Sequence, residues 1–221
     1  MIETLKKVIP SGIRKAIKRC IQWYAFEKAF YCIAAIAPNK IPSRELIEQL
    51  RKGWGNEGWS GRPAYLEEVV KWAAITPGPI LECGSGLTTI LLELYAARRR
   101  GIPVWTLEHA YDWHKRMSNA LTTCHISGVE LALTPLHDYE NFSWYSPPLT
   151  HMPAHFNLVI WDGPPERTTR GKRQGLLPVM DKHLAMNCVI LLDDYDTEAA
   201  DNIVDHWTAE RSAATKILKA D

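Results

Sequence analysis

A chain of 221 residues, 46% hydrophobic and 23% charged, is long enough for one well-cored domain with an appendage and too short for two independent domains. Its net charge of +1 and ordinary composition argue against a disordered chain and against a strongly nucleic-acid-binding one. Five scattered cysteines, odd in number and without a Cys-x-x-Cys pair, argue against a disulfide framework or a zinc cluster and fit a reducing cytoplasm.

In chain order, Ser11 is placed to cap a basic amphipathic helix that runs toward Ala37 and stops before Pro38. Ile13, Ile17, Cys20, Ile21 and Tyr24 share one side of it, and Arg14, Lys15, Lys18 and Arg19 lie largely on the other. The apolar run 29–37 is short of a membrane span, and Glu27 and Lys28 interrupt the longer stretch, so neither a signal peptide nor a transmembrane helix is expected. Helices are predicted over 43–52 and 63–74, separated by a Gly- and Trp-rich loop over 54–61. From Ile80 the rhythm changes: strands are predicted over 80–83, 104–108, 129–134, 156–161 and 189–192, alternating with helices over 88–99, 113–126, 174–184 and 197–207. A last strand fits 215–219. This alternation predicts a Rossmann-like α/β fold, a doubly wound and mostly parallel sheet, over residues 63–221, preceded by a helical extension over 1–62.

The first strand runs into Glu82-Cys83-Gly84-Ser85-Gly86 and then a helix, so glycines sit where the chain turns tightly and a ligand approaches the backbone. A dinucleotide fingerprint wants a third glycine, but the position three after Gly86 is Thr89, which demotes NAD. The second strand ends in Glu108 followed by His109, about where nucleotide-binding folds place a carboxylate for ribose hydroxyls. Such a carboxylate suits adenosine and repels a 2′-phosphate.

On these residues the chain resembles the class I methyltransferase family: the run from Ile80 to Gly86 looks like its first motif and Leu107-Glu108-His109 like its second. Asp162-Gly163-Pro164-Pro165 and Leu191-Leu192-Asp193-Asp194 look like a bacterial branch of small-substrate methyltransferases. The resemblance implies S-adenosylmethionine lying across the carboxyl ends of the first two strands. By it, Glu82, Gly84, Ser85 and Gly86 would hold the methionine end, Glu108 with His109 the ribose, and Asp138 would be a weaker candidate for the adenine. Gly84→Val is then expected to abolish cofactor binding and leave the fold largely intact.

Asp162 ends the fourth predicted strand and Asp193 with Asp194 the fifth, so in a parallel sheet all three carboxylates arrive on the cofactor's rim. They resemble the positions where catechol-type and caffeoyl-CoA-type O-methyltransferases hold a divalent metal, with Asp194 where that family usually has Asn. Unneutralised, the three would repel one another, which leaves two readings: Mg²⁺ or Ca²⁺ at Asp162, Asp193 and Asp194, or a metal-free site in which Asp162 or Asp193 is a general base. Arg167, Arg170, Lys172 and Arg173 follow Asp162 in a loop that either closes over an anionic substrate or is simply solvated. His151 and His155, with Pro153 between them, read as loop histidines.

The expectation is thus a cytoplasmic S-adenosylmethionine-dependent methyltransferase acting on a hydroxyl of a small polar acceptor, sugar-like or a secondary metabolite. Its rivals are an NAD-type oxidoreductase on the same fold class and a non-catalytic membrane-associated binding protein. The N-terminal helix is expected to cover the pocket, join a homodimer, or touch the inner membrane face peripherally. Packing or dimerisation is preferred, because Trp23, Tyr24, Phe26, Phe30 and Tyr31 give a surface broad for a shallow interfacial helix.

Overall fold

The computed structural model describes residues 10–171 and 173–193, together with residues 204, 205, 207 and 208. Its strands are β1 (Ile80–Cys83), β2 (Val104–Glu108), β3 (Val129–Leu133), β4 (Leu136–Asp138), β5 (Ser143–Tyr145), β6 (Phe156–Trp161) and β7 (Leu184–Leu192). β4 and β5 form an antiparallel hairpin; the other five form one parallel sheet in the order β3-β2-β1-β6-β7. β1, fully buried, pairs in register with Val104 to Leu107 on one side and with Leu158 to Trp161 on the other. Burial on both faces is why its sequence is a continuous short run and not an alternating one. The strand order is that of a doubly wound Rossmann-like sheet. The winding reverses at β1, which opens a crevice beyond the carboxyl ends of β1, β2 and β6.

The helices are α1 (Ser11–Ala34), α2 (Arg44–Trp54), α3 (Pro63–Ile75), α4 (Leu87–Leu92), α5 (Arg98–Arg100), α6 (Tyr111–Thr123) and α7 (Leu176–Met180), with a π-helical turn at Glu93–Ala97 joining α4 to α5. One face of the sheet presents Ile80, Val104, Leu158 and Ile160 to a single apolar cluster that runs through Phe26, Ile47, Leu66, Leu91 and Met117. The opposite face presents Leu81, Cys83, Leu107, Val159 and Trp161 to the hairpin's Trp144 and Tyr145 and to α7. Trp207 stacks on Trp161 there, ring centroids 4.6 Å apart.

Several elements differ from expectation. α1 starts behind Pro10, without a side-chain cap from Ser11, and ends at Ala34, three residues before the expected stop at Ala37. Ser43 does cap α2, its hydroxyl accepting from Leu46 N at 3.3 Å. β7 begins at Leu184, and its pairing with β6 slips between Phe156 and Leu158, an irregularity that exposes Met186 and Asn187 and breaks the apolar run. The helix expected over 174–184 is only α7 plus a 3-10 turn at Asp181–His183. The hairpin β4–β5 was not expected at all. Most of the helix predicted over 197–207, and the strand over 215–219, lie outside the described residues.

α1 packs on α2 through Phe26, Ala29, Phe30 and Ile33, all buried. The helices cross at Gly53, where a Cβ would collide with the backbone of Phe26. Arg99 ties down the far end of α1 by donating to the carbonyls of Ile33 at 2.9 Å and of Ile36, just past the helix, at 3.0 Å.

Candidate functional site

The crevice is built first by β1 and the turn that follows it. Gly84 has φ +91°, a conformation that L side chains rarely adopt, and a Cβ there would lie 3.2 Å from Gly163 N. The two turns leaving β1 and β6 are stapled together, because Asp162 N and Gly163 N both donate to Cys83 O, at 3.1 and 2.7 Å. Gly84 therefore serves the contact between two turns. Gly86, two residues on, has open space within 4 Å of where its Cβ would stand, and its N–H donates to Thr89 Oγ1 at 2.9 Å. The position that faces open space in the crevice is Gly86.

Glu108, at the carboxyl end of β2, braces this turn. Its Oε2 accepts from Ser85 N at 3.1 Å and Ser85 Oγ at 2.7 Å, and its Oε1 accepts from Ala110 N at 2.8 Å. His109 Nδ1 lies 3.3 Å from the same Oε1. Burial acts to raise the Glu108 carboxyl, but the bonds from His109, Ala110 and Ser85 outweigh it and hold the group below its ordinary value. Trp113 of α6 fixes the turn from the other side, Nε1 donating to Ser85 O at 2.8 Å. The expected set Gly84, Ser85, Gly86, Glu108 and His109 is thus brought together at one end of the sheet.

Glu82 stands apart from that set. It is fully buried, and its carboxylate accepts from Thr88 Oγ1 at 2.5 Å, Thr89 Oγ1 at 2.7 Å and Thr106 Oγ1 at 2.7 Å. Burial pushes it up to about 7 against the opposing pull of the three hydroxyls, with the charge of Asp162 adding to the rise. In this arrangement Glu82 ties β1, β2 and α4 together beneath the turn; its link to the crevice runs through Thr89 to Gly86 N.

On the other side of the crevice, Asp162 follows β6 and Asp193 follows β7, both half-buried. Asp193 Oδ2 lies 3.1 Å from where a Cβ on Gly61 would stand, with the ring of Tyr65 beside it. The loop before α3 and the first turn of α3 therefore wall this side. The Tyr65 hydroxyl donates to Leu191 O at 3.3 Å. Burial pushes Tyr65 well above its ordinary value, and Asp193, Asp162 and Glu82 push it further while Arg173 opposes them. Tyr145 of the hairpin is raised by burial, by Cys83, Glu108 and Asp162, again against Arg173. Asp162 and Arg173 thus act on both tyrosines, which stay neutral donors. The Tyr145 hydroxyl is wholly buried against Gly163 and has no hydrogen-bond partner among the described residues.

Of the basic loop, Arg167 is exposed as a solvated loop residue would be, while Arg170 donates to the carbonyls of Tyr139 and Glu140 and so holds the hairpin. Arg173 is neither solvated nor a lid residue: it is buried and donates to Asp193 O at 3.3 Å. Asp194 lies outside the described residues, and among those described no three His, Cys, Asp or Glu side chains converge as a cation site. Asp138, exposed in β4, accepts from Ser143 Oγ at 2.5 Å, while His151 and His155 are exposed in the loop that follows the hairpin.

The sequence does not single out Tyr65, Tyr145 or Trp113 as parts of the site, and it offers Arg173 only as one of the cations in the loop after Asp162. The only signal for Tyr145 is the Trp-Tyr pair bounded by Asn141 and Pro147, a run too short for a period.

No protein-family model matches the sequence, and no curated protein matches it. Solved structures do match in shape. An S-adenosylhomocysteine-bound methyltransferase of Podospora anserina is 15% identical, with 92% of this chain and 88% of that one covered at a TM-score of 0.48. A ribosomal protein L11 methylase of Lactobacillus delbrueckii subsp. bulgaricus is 16% identical over 71% of this chain and 72% of that one, TM-score 0.46. A precorrin-6y C5,15-methyltransferase of Geobacter metallireducens is 10% identical over 68% and 78%, TM-score 0.46.

Proposed function

We propose that this chain is an S-adenosylmethionine-dependent methyltransferase that methylates a hydroxyl of a small polar acceptor, sugar-like or a secondary metabolite, as expected of the small-substrate branch its Asp162-Gly163-Pro164-Pro165 motif resembles. The observation that carries the reading is the turn Gly84-Ser85-Gly86, held by the Glu108 carboxylate at the switch point of a doubly wound sheet and open at Gly86. A low Glu108 pKa keeps an anionic acceptor available for ribose hydroxyls. The buried, unpartnered Tyr145 hydroxyl is the kind of group a polar ligand satisfies. When bound, S-adenosylmethionine supplies an electrophilic methyl group on a sulfonium. What remains for the chain is alignment, exclusion of water and uptake of the acceptor's proton, and Asp162 and Asp193 are the bases on the acceptor side.

NAD is disfavoured by Thr89, which is buried where a dinucleotide motif has its third glycine and carries bonds to both Glu82 and Gly86. Calorimetry separates the two ligands: micromolar binding of S-adenosylhomocysteine with none of NAD is expected, and the reverse would overturn the reading. Tyr145→Phe removes only the orphaned hydroxyl, so the free protein should be as stable as before or slightly more so. Its affinity for S-adenosylhomocysteine or for acceptor should fall by roughly three- to tenfold, the worth of one net hydrogen bond. A variant that is less stable with both affinities unchanged would make Tyr145 a packing residue.

Asp162→Ala and Asp193→Ala should keep cofactor affinity and lose roughly 10² to 10⁴ of methyl transfer to a hydroxylated acceptor, read from a panel of candidates. Loss of cofactor binding in both would refute the acceptor-side role. For positive charge among these carboxylates two sources compete: the buried Arg173 guanidinium, or a divalent cation at Asp162, Asp193 and Asp194. Arg173 favours the metal-free version, for which full activity in excess chelator is the expected result; abolition by chelator, restored with Mg²⁺, would favour the cation.

A further inference from the structure

The structure divides α1 into two unlike halves. Its second half is anchored by Phe26, Ala29, Phe30 and Ile33, whereas every residue from Pro10 to Ile21 is exposed. Ile13, Ile17, Ile21, Tyr24 and Tyr31 are between 47% and 70% exposed. Spaced by four, four, three and seven residues, they fall within an arc of roughly 80° at 3.6 residues per turn, a stripe about 27 Å long. The anchoring residues fall on the opposite side of the helix, so a flat partner seated on the stripe lies on the side of α1 away from the sheet.

The stripe is narrower than the sequence suggests. Phe26 and Phe30, which made the apolar surface look too broad for a shallow interfacial helix, are turned inward, and Trp23 is half-buried with Nε1 donating to Glu27 at 2.9 Å. At about 100° per residue, Arg14 and Lys18 flank one edge of the stripe and Lys28 lies within it, while Lys15 and Arg19 lie on the opposite side of the helix. Glu27 is the only acidic residue in the helix.

We propose that this face of α1 docks on an anionic lipid surface. Charge decides between this partner and a second copy of the chain. A parallel pair of α1 helices would bring the cations on and beside the stripe together, and an antiparallel pair would offer one carboxylate per helix, already bonded to Trp23, against Arg14, Lys18 and Lys28. A surface of anionic headgroups matches Arg14, Lys18 and Lys28, and exposed Tyr24 and Tyr31 suit the boundary between headgroups and acyl chains. No described helix is long and apolar enough to cross a membrane, and none is needed for this mode.

The test is flotation of the full chain with phosphatidylcholine vesicles, alone or mixed with about one-third phosphatidylglycerol, at low salt and at about 0.5 M salt. Binding is expected only to the mixed vesicles, weakened at least about tenfold by salt and by Arg14→Glu with Lys18→Glu. Ile17→Asp with Ile21→Asp should abolish it without shifting the melting temperature, since all four positions are exposed. Equal binding to neutral vesicles, or no binding by the intact chain, would overturn the proposal. So would a dimer in sedimentation that the isoleucine variants dissociate while lipid is ignored.

Discussion

Gly86→Val should lose at least about a hundredfold in affinity for S-adenosylhomocysteine, some 2.8 kcal/mol at 1.4 kcal/mol per decade, with its stability within about 0.5 kcal/mol of the parent. The position is half-buried, its φ of −176° is extended backbone that valine adopts freely, and its Cβ meets nothing within 4 Å. The added methyl groups therefore enter only space that a ligand would fill. The expectation attached to Gly84→Val is corrected by the same geometry. At φ +91°, with a Cβ 3.2 Å from Gly163 N and 3.3 Å from Gly163 Cα, any substitution at Gly84 strains the backbone and pries apart the exits of β1 and β6. Gly84→Ala should lower stability by about 1 to 3 kcal/mol, a melting shift of several degrees for a chain of this size, so weak binding there would not isolate the ligand contact. Thermal melts and calorimetry on the two variants separate the roles. Gly86→Val with full affinity would remove the cofactor from this turn.

That contrast marks where the sequence is readable and where it is not. β1, β2 and β6 have the predicted bounds because each is a short apolar run cut off sharply: Pro79 and Gly84 flank β1, Pro103 precedes β2, and Asp162-Gly163 ends β6. Their carboxyl ends follow from the same bounds, so the meeting of the glycine turn, Glu108, Asp162 and Asp193 on one rim was legible. Elements without a period were not. β4 and β5 have three residues each, and Pro178 within α7 together with the 3-10 turn at Asp181–His183 stops a helix whose apolar pattern continues. Long-range pairing was the other blind spot. Tyr145 reaches Gly163 only because the hairpin folds under β6, and Arg173 looked like one more loop cation until burial set it beside Asp193. Glu82 looked like a ligand carboxylate because it adjoins the glycines. Its threonine partners come from α4 and from the β2 position that pairs with it in register, Thr106.

Glu82→Gln should raise stability at pH 8 relative to pH 5 by an order of 3 kcal/mol compared with the parent. Burial lifts the Glu82 carboxyl from 4.5 to about 7. Between those values the folded chain holds a proton that the unfolded chain has released, so Glu82's contribution to stability falls as pH rises through that window and is level above about 7. A shift of this size corresponds to roughly 3 kcal/mol at 1.36 kcal/mol per unit. Glutamine cannot ionise, keeps an acceptor oxygen for the threonine hydroxyls and donates to one of them if that hydroxyl rotates, so the slope should disappear while the cage persists. Glu82→Ala removes the common acceptor of Thr88, Thr89 and Thr106 and leaves a cavity, and should destabilise the fold by several kcal/mol at either pH. Urea unfolding of parent and Glu82→Gln at the two pH values is the measurement, and a parallel offset at both would mean that Glu82 is ionised throughout. The functional corollary is specific. Glu82 touches the crevice only through Thr89 Oγ1, which accepts from Gly86 N, so Glu82→Gln should bind S-adenosylhomocysteine like the parent. An affinity lost in Glu82→Gln at unchanged stability would instead make Glu82 a direct contact of the methionine end.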